Sequence, residues 1–409
     1  MTDTLIDRAR CAAEISAATL DALVLFQPEH VIWATGINPG PAALFRRAGA
    51  ASVVIPASAD APLAIVLPDL AAAWIGHAAS GADIAYHRIW VDTATASPHG
   101  LDTPLSAVLS SIEAPKRPMT FDAAVAFGTL HDQLASRGLS NARLGLDLGF
   151  VPAADLALLS AALPSAVIVD ATDVIRRIRM VKSSAEIARL RHAVELSEAG
   201  LIAALARVRK GVSRRELSQA YAHGVAAAAS ANGQDTPALW DYISIGPDPW
   251  GAGRPAEADD IIKFDVGVVI AGYSSDMART ICCGRPSRAA RELHAALLSG
   301  LETGLAMLKP GVRLSAVYTE ILNTVRGAGV PHYSRGHFGH SLGNDPFSEQ
   351  WPFIAATCDI AAEPGMVLAM EVPHYVDGLG GFIIEDQLLI TSDGIDIMSR
   401  HPRDLAIYR

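Results

Sequence analysis

Two segments in the last third of the chain each set a pair of acidic side chains inside runs that are otherwise apolar and largely β-branched. The first, IIKFDVGVVIAGYSSDMARTICCG, holds Asp265 and Asp276; the second, VLAMEVPHYVDGLGGFIIEDQLLIT, holds Glu371 and Glu385. Such runs form buried strands, and a buried carboxylate without a partner is costly. The fold must therefore direct these four groups toward something that neutralises them, since like charges brought together repel.

Ala271-Gly272 is a hairpin signal in the first segment. With that turn, Asp276 falls opposite Gly267, and residues 265 and 267 share a face because side chains alternate along a strand. Asp265 and Asp276 are then diagonal neighbours, able to share an ion. In the second segment Asp377-Gly-Leu-Gly380 is the turn, and Glu371 comes almost directly opposite Glu385. The rival explanation is neutralisation by arginine. Arg279 is available to one of these carboxylates, but no Arg lies near the Glu371–Glu385 pair in sequence.

His340, in SRGHFGHSLG, stands between the two hairpins and completes a five-residue set. Oxygen donors with one imidazole suit Mn²⁺, Co²⁺, Fe²⁺ or Zn²⁺, and a site without thiols is unlike structural zinc. His30, His77, His87, His99 and His131 are scattered without ligand spacing and read as structural or exposed. Cys282 and Cys283 are adjacent while Cys11 and Cys358 stand alone, so the cysteines read as free thiols rather than a disulfide framework.

The chain of 409 residues favours more than one domain. Residues 1–170 read as an α/β unit with strands at Ala22–Phe26, Ala51–Ile55, Ala64–Leu67 and Ala166–Val169. Residues 171–409 form the second domain. It opens with a capping box at Ser183–Glu186. The helix that follows carries an apolar face of Ile187, Leu190, Val194, Leu201, Leu205 and Val208 and ends near Lys210-Gly211. Ser213 to Glu216 caps the next helix. About a hundred residues later the device returns: a helix over roughly Ser287–Leu308, the turn Lys309-Pro-Gly-Val312, and a helix over about Ser315–Val325. The repetition predicts two pseudo-symmetric αβ halves.

A net charge of −10 without a basic cluster argues against a nucleic-acid partner. The longest apolar runs are too short to span a bilayer, and Asp3, Asp7 and Glu14 do not suit a secretory leader, so a cytoplasmic protein without membrane partners is expected.

FDVG…YSSDMART, GHSLG, EPGMVLAMEVPHY and GGFIIEDQLLIT resemble the signature blocks of the metallopeptidases that include prolidase, aminopeptidase P and methionine aminopeptidase. MVKSSAEIARLRHAV is similar to the helix that opens the catalytic domain in the prolidase and creatinase branch. The resemblance implies an α/β (α+β) chain in which a creatinase/prolidase-type N-terminal domain precedes a "pita-bread" catalytic domain. It implies two divalent ions, Mn²⁺ foremost, with Asp265 on one, His340 and Glu371 on the other, and Asp276 and Glu385 bridging. It further implies a homodimer acting on a small peptide or amide, through a hydroxide shared by the metals, with Glu371 moving the proton to the leaving nitrogen.

Two departures limit the peptidase expectation. The family's peptidases carry a substrate-facing His shortly before the first Asp, yet this chain has none between His223 and His294. A second normally follows the GHxxG His by seven residues, where this chain has Phe347. His337 is the candidate replacement as catalytic and substrate-binding residue, with His374 a weaker one because it lies an odd number of residues from Glu371. Phe347, Tyr375 and Trp250 are candidate pocket-lining residues, with ordinary packing as the alternative. Three functions remain open: an Xaa-Pro dipeptidase or aminopeptidase, a metal-dependent hydrolase of a non-peptide C–N bond, and an inactive relative that binds a ligand. Gly339-His-Ser341-Leu-Gly343 also matches G-x-S-x-G, but a nucleophile elbow needs a strand before it and a helix after it. HYSRGHF does not read as a strand, nor NDPFSEQWPF as a helix.

Overall fold

The computed structural model describes residues 5–75, 81–93, 96–98, 100–109, 116–251 and 253–408. His77 and His99 lie outside them. The chain divides into two compact units, Met1–Ile178 and Arg179–Arg409.

The first unit is built on a six-stranded sheet. Its strands are β1 (Ala22–Leu25), β2 (Ser52–Pro56), β3 (Ala64–Pro68), β4 (Asp83–His87), β5 (Arg143–Leu146) and β6 (Val167–Asp170), in the order β4-β3-β2-β1-β5-β6. β1 pairs antiparallel with β2 and parallel with β5. The first three strands are fully buried, which is why their unbroken apolar runs are legible. Of the remaining histidines, His30 is buried and bonds Asp147 at 2.9 Å, His87 is buried, and His131 sits on the exposed side of its helix.

The second unit has an eleven-stranded sheet. Its strands are β7 (Ala238–Asp241), β8 (Ser244–Ile245), β9 (Asp260–Ile270), β10 (Tyr273–Ser274), β11 (Met277–Cys283), β12 (His337–Ser341), β13 (Gln350–Ala355), β14 (Val367–Glu371), β17 (Glu385–Ile390), β18 (Ile395–Ile397) and β19 (Ala406–Tyr408). A separate two-stranded ribbon joins β15 (His374–Val376) to β16 (Gly380–Phe382). The main path runs β10-β9-β11-β17-β14-β12-β13.

The anticipated duplication is present. Helices Ser184–Leu205 and Arg214–Ala231 pack as a pair, as do Arg288–Met307 and Leu314–Gly327. Both predicted capping boxes form, at Ser183–Glu186 and Ser213–Glu216. The turns match to the level of single bonds. Gly211 (φ +82) donates to Ala256 O and Ala256 to Val212 O; Gly311 (φ +84) donates to Ala362 O and Ala362 to Val312 O. One expectation fails: the first helix ends at Leu205, not near Lys210-Gly211. Arg207 and Val208 bond three residues back rather than four, closing the helix while Val208 stays buried. No helix among the described residues is long and apolar enough to cross a membrane.

Candidate metal centre

β9 and β11 pair with Met277 facing Val266 and Ala278 facing Asp265. Ser275 donates to Val268 O, so the register continues through the break between β10 and β11 and sets Asp276 level with Gly267, as the turn predicted. β11 then pairs with β17, Ala278 facing Glu385, and β17 with β14, Glu385 facing Glu371. Asp265, Ala278, Glu385 and Glu371 thus form one transverse row on one face of the sheet. Asp276 lies two residues from Ala278, and His340 faces Ala369, two residues from Glu371. Alternation brings all five side chains to the same face.

Three of them converge. His340 Nε2 stands 3.7 Å from Asp276 Oδ2 and 3.9 Å from Glu385 Oε1, and one donor atom from each of the three lies within 4.8 Å of the others. Asp276 Oδ1 is buried without a hydrogen-bond partner. Burial, reinforced by the neighbouring carboxylates, raises the pKa of Asp276 and of Glu385 well above the usual range. Burial likewise lifts Asp265 to about 6, against the pull of Lys263, and depresses that of His340. An orphaned carboxylate oxygen, an imidazole whose pKa burial lowers and carboxylates destabilised as anions suit a group of side chains that holds a cation. The donor set fits a divalent ion.

The other two of the five have protein cations beside them. Lys263 Nζ sits 3.6 Å from Asp265 Oδ2. Arg335 Nη2 donates to Glu371 Oε1 at 3.0 Å, so the second carboxylate pair does have an arginine, supplied from the loop before β12. Arg279 serves neither hairpin pair: it donates to Asp386 Oδ1 at 2.7 Å and to the carbonyl of Glu385 at 2.6 Å.

His337 lies beside Glu371, its Nδ1 3.4 Å from Oε1, while its Nε2 stands 3.3 Å from Glu349 Oε2. His374 is not brought to the five. Glu371 faces Glu385 and His374 faces Phe382, one unbroken register, so Pro373 inserts no bulge and His374 stays on the opposite face, edge-on to Tyr333 at 5.1 Å. Tyr375 returns to the site face, its ring 5.9 Å from Arg335 Cζ and 4.3 Å from the Trp250 ring. Phe347 is 55% exposed. Lys263 was legible in principle, since it stands two residues before Asp265 on the same strand. Arg335 and Glu349 come from loops, where spacing carries no such signal.

Ser341 is not at an elbow. HYSRGHF does enter a strand at His337, contrary to expectation, but the next element after β12 is β13, not a helix. The Ser341 hydroxyl is fully buried and accepts from Lys182 Nζ at 2.6 Å. All four cysteines are free.

Residues 188–392 match metallopeptidase family M24, and residues 106–181 match the creatinase/prolidase N-terminal domain. The chain belongs to family M24. An uncharacterized peptidase of Staphylococcus aureus (strain MSSA476) is 28% identical over 230 residues, 56% of this chain and 65% of the relative, so the chain spans just under two thirds of that protein's length. The Xaa-Pro dipeptidase of Pyrococcus horikoshii is 28% identical over 238 residues, 57% of this chain and 66% of its own. Among solved structures, dipeptidase PepE from Mycobacterium ulcerans superposes with a TM-score of 0.74 at 26% identity, covering 98% of this chain and 96% of that one. The pita-bread architecture is thereby common to both.

Proposed function

We propose that the chain is a metal-dependent amide hydrolase holding two divalent ions on Asp265, Asp276, His340, Glu371 and Glu385, and that its substrates are Xaa-Pro dipeptides or similarly small peptides. The observation carrying this reading is the convergence of Asp276, His340 and Glu385 around an orphaned oxygen, in a row that Asp265 and Glu371 extend. Bound ions would lower the pKa of a shared water and polarise the amide carbonyl. Mn²⁺ suits the oxygen-rich donor set, and a cytoplasmic homodimer is the expected form.

The protein's own groups then divide the work. Glu371 takes the proton from the attacking water and delivers it to the leaving nitrogen. Arg335 holds the Glu371 carboxylate in place at 3.0 Å. His337, its Nε2 3.3 Å from Glu349 and its Nδ1 3.4 Å from Glu371, would donate to the substrate carbonyl as it gains negative charge. Glu371→Gln should lower turnover of an Xaa-Pro dipeptide at least about a thousandfold while the protein still binds Mn²⁺; an active variant refutes the assignment. Within the same machinery, the lack of a His between His223 and His294 favours a second reading, cleavage of a small non-peptide C–N bond. Screening Xaa-Pro peptides against amidino compounds and cyclic amides with Mn²⁺ separates the two.

A further inference from the structure

The row of candidate ligands crosses a seam between the two carboxylate hairpins. β9 and β11 pair at seven positions and β14 and β17 at five. Among the described residues, β11 and β17 pair only at Ala278 with Glu385. Asp265 and Asp276 lie on one side of that seam, Glu371 and Glu385 on the other. Backbone groups along so short a ladder need other partners, and side chains supply them. Thr280 Oγ1 donates to Ile383 O at 2.9 Å and accepts from the Ile383 amide at 2.8 Å. Gln387 Oε1 accepts from the Asp276 amide at 3.4 Å.

Arg279 contributes most. It is 2% exposed, and alternation puts it on the sheet face opposite the ligands. Its Nη1 donates to Ala278 O at 2.8 Å and, across the seam, to Glu385 O at 2.6 Å. Its Nη2 donates to Asp386 Oδ1 at 2.7 Å and to His401 O at 2.6 Å, and its Nε to His401 O and Pro402 O. The whole guanidinium fork is engaged, a geometry that the point charge of a lysine does not reproduce. Asp386 is fully buried, and its second oxygen accepts from Arg403 Nε at 2.5 Å. The segment that carries Arg403 is pinned in turn: Glu198 Oε1 accepts from the amides of Arg400 and His401, and Ser399 Oγ from that of Gln387.

Asp276 and Glu385, two of the three converging side chains, come from opposite sides of this seam. A cation accepts donor distances only within about 0.2 Å, so the separation of the two strands decides whether both carboxylates can reach it. We infer that Arg279, Asp386 and Arg403 are positioning residues for the metal centre. From behind the sheet they set the reach between Asp276 and Glu385, and residues 399–403 thereby tune the affinity for a divalent ion. The inference rests on the metal-dependent hydrolase reading and adds to it the groups that hold the ligands in place.

The test measures Mn²⁺ binding to the stripped full chain by titration calorimetry, beside the metal-free melting temperature of the same sample. Arg279→Lys keeps the charge and loses the fork; it should weaken Mn²⁺ binding about tenfold to a hundredfold, as loss of a group behind a metal ligand does. Arg403→Met, at a side chain 28% exposed, should weaken it several-fold and decides the matter if Arg279→Lys does not fold. Ser183→Ala supplies the comparison, since it lowers stability through a helix cap and should leave Mn²⁺ affinity at the wild-type value. If the Arg279 and Arg403 variants behave like Ser183→Ala, melting lower yet binding Mn²⁺ as wild type does, the network only packs the sheet and the proposal alone is overturned. A wild type that binds no Mn²⁺ overturns it together with the metal-dependent reading.

Discussion

At the scale of the residue, burial and the neighbouring carboxylates push the pKa of Asp276 and of Glu385 well above the usual range, and burial pushes that of Asp265 up to about 6. Without metal, the native chain keeps protons that the unfolded chain releases near its ordinary carboxylate pKa of about 4. Native protons exceed unfolded ones across that window, so the stability these groups provide is full below about 4 and is lost as pH rises through about 6 and beyond. The melting temperature of the metal-free protein should fall between about pH 5 and about pH 8. Mn²⁺ should reverse the fall, and Asp276→Asn/Glu385→Gln should flatten it. A metal-free melting temperature that climbs over the same range contradicts the account. Arg335 belongs to this scale too. Removing its charge-assisted bond to Glu371 in Arg335→Met should cost roughly tenfold to a hundredfold in kcat/KM with Mn²⁺ stoichiometry retained. Undiminished kinetics would show that Glu371 needs no such anchor. The strand residues of the site were legible pair by pair because alternation is a rule of geometry, which sets Asp265 beside Asp276 and Glu371 beside Glu385 by counting, whereas the β11–β17 pairing that puts both pairs on one face was not. Arg335 and Glu349 were not, because loop residues reach the site through tertiary packing that no spacing encodes.

At the scale of the element, two close approaches in the ligand-bearing sheet, β9 against the Ser275 segment and β12 against β14, depend on glycines standing where a side chain would intrude. A Cβ on Gly267 would meet the Ser275 carbonyl oxygen at 2.4 Å and the Trp240 ring at 2.3 Å. A Cβ on Gly339, whose φ is +135, would meet the Ala369 carbonyl oxygen at 2.1 Å. Gly267→Ala should therefore push β9 from the Asp276 segment, lowering Mn²⁺ affinity at least about tenfold and stability by about 1–3 kcal/mol, as overpacking does. Calorimetric Mn²⁺ binding unchanged from wild type would refute the close-approach argument. The helix pairs depend on their caps. Ser183→Ala removes the bond to the Glu186 amide and should cost about 1 kcal/mol in denaturant unfolding, with no effect on Mn²⁺ binding. Both capping boxes and the repeated Gly-Val turns could be read in the sequence, since each is a local signal. β4 and β5 were missed because Asp83–His87 is largely exposed and Arg143–Leu146 is four residues long with a glycine inside, so neither shows a clear apolar period.

At the scale of the whole molecule, each unit carries its own core: Leu23, Val53 and Ile65 in the first, and Phe264, Val266 and Leu368 in the second. The second unit alone carries all five candidate ligands on one sheet face, with Asp276, His340 and Glu385 converging, and its two halves repeat the same helix–turn–helix bonds. Light scattering of the full chain should return twice the mass of 43.0 kDa if the homodimer expectation holds. The account stands on the claim that divalent ions join the five side chains and make the chain a hydrolase. The direct measurement is metal content against activity: the protein is stripped by chelator, titrated with Mn²⁺, and assayed on an Xaa-Pro dipeptide panel at each step. The account predicts no turnover in the stripped protein and a rise that saturates at no more than two ions per chain. Full activity without metal, or no bound Mn²⁺ at saturation, would contradict it.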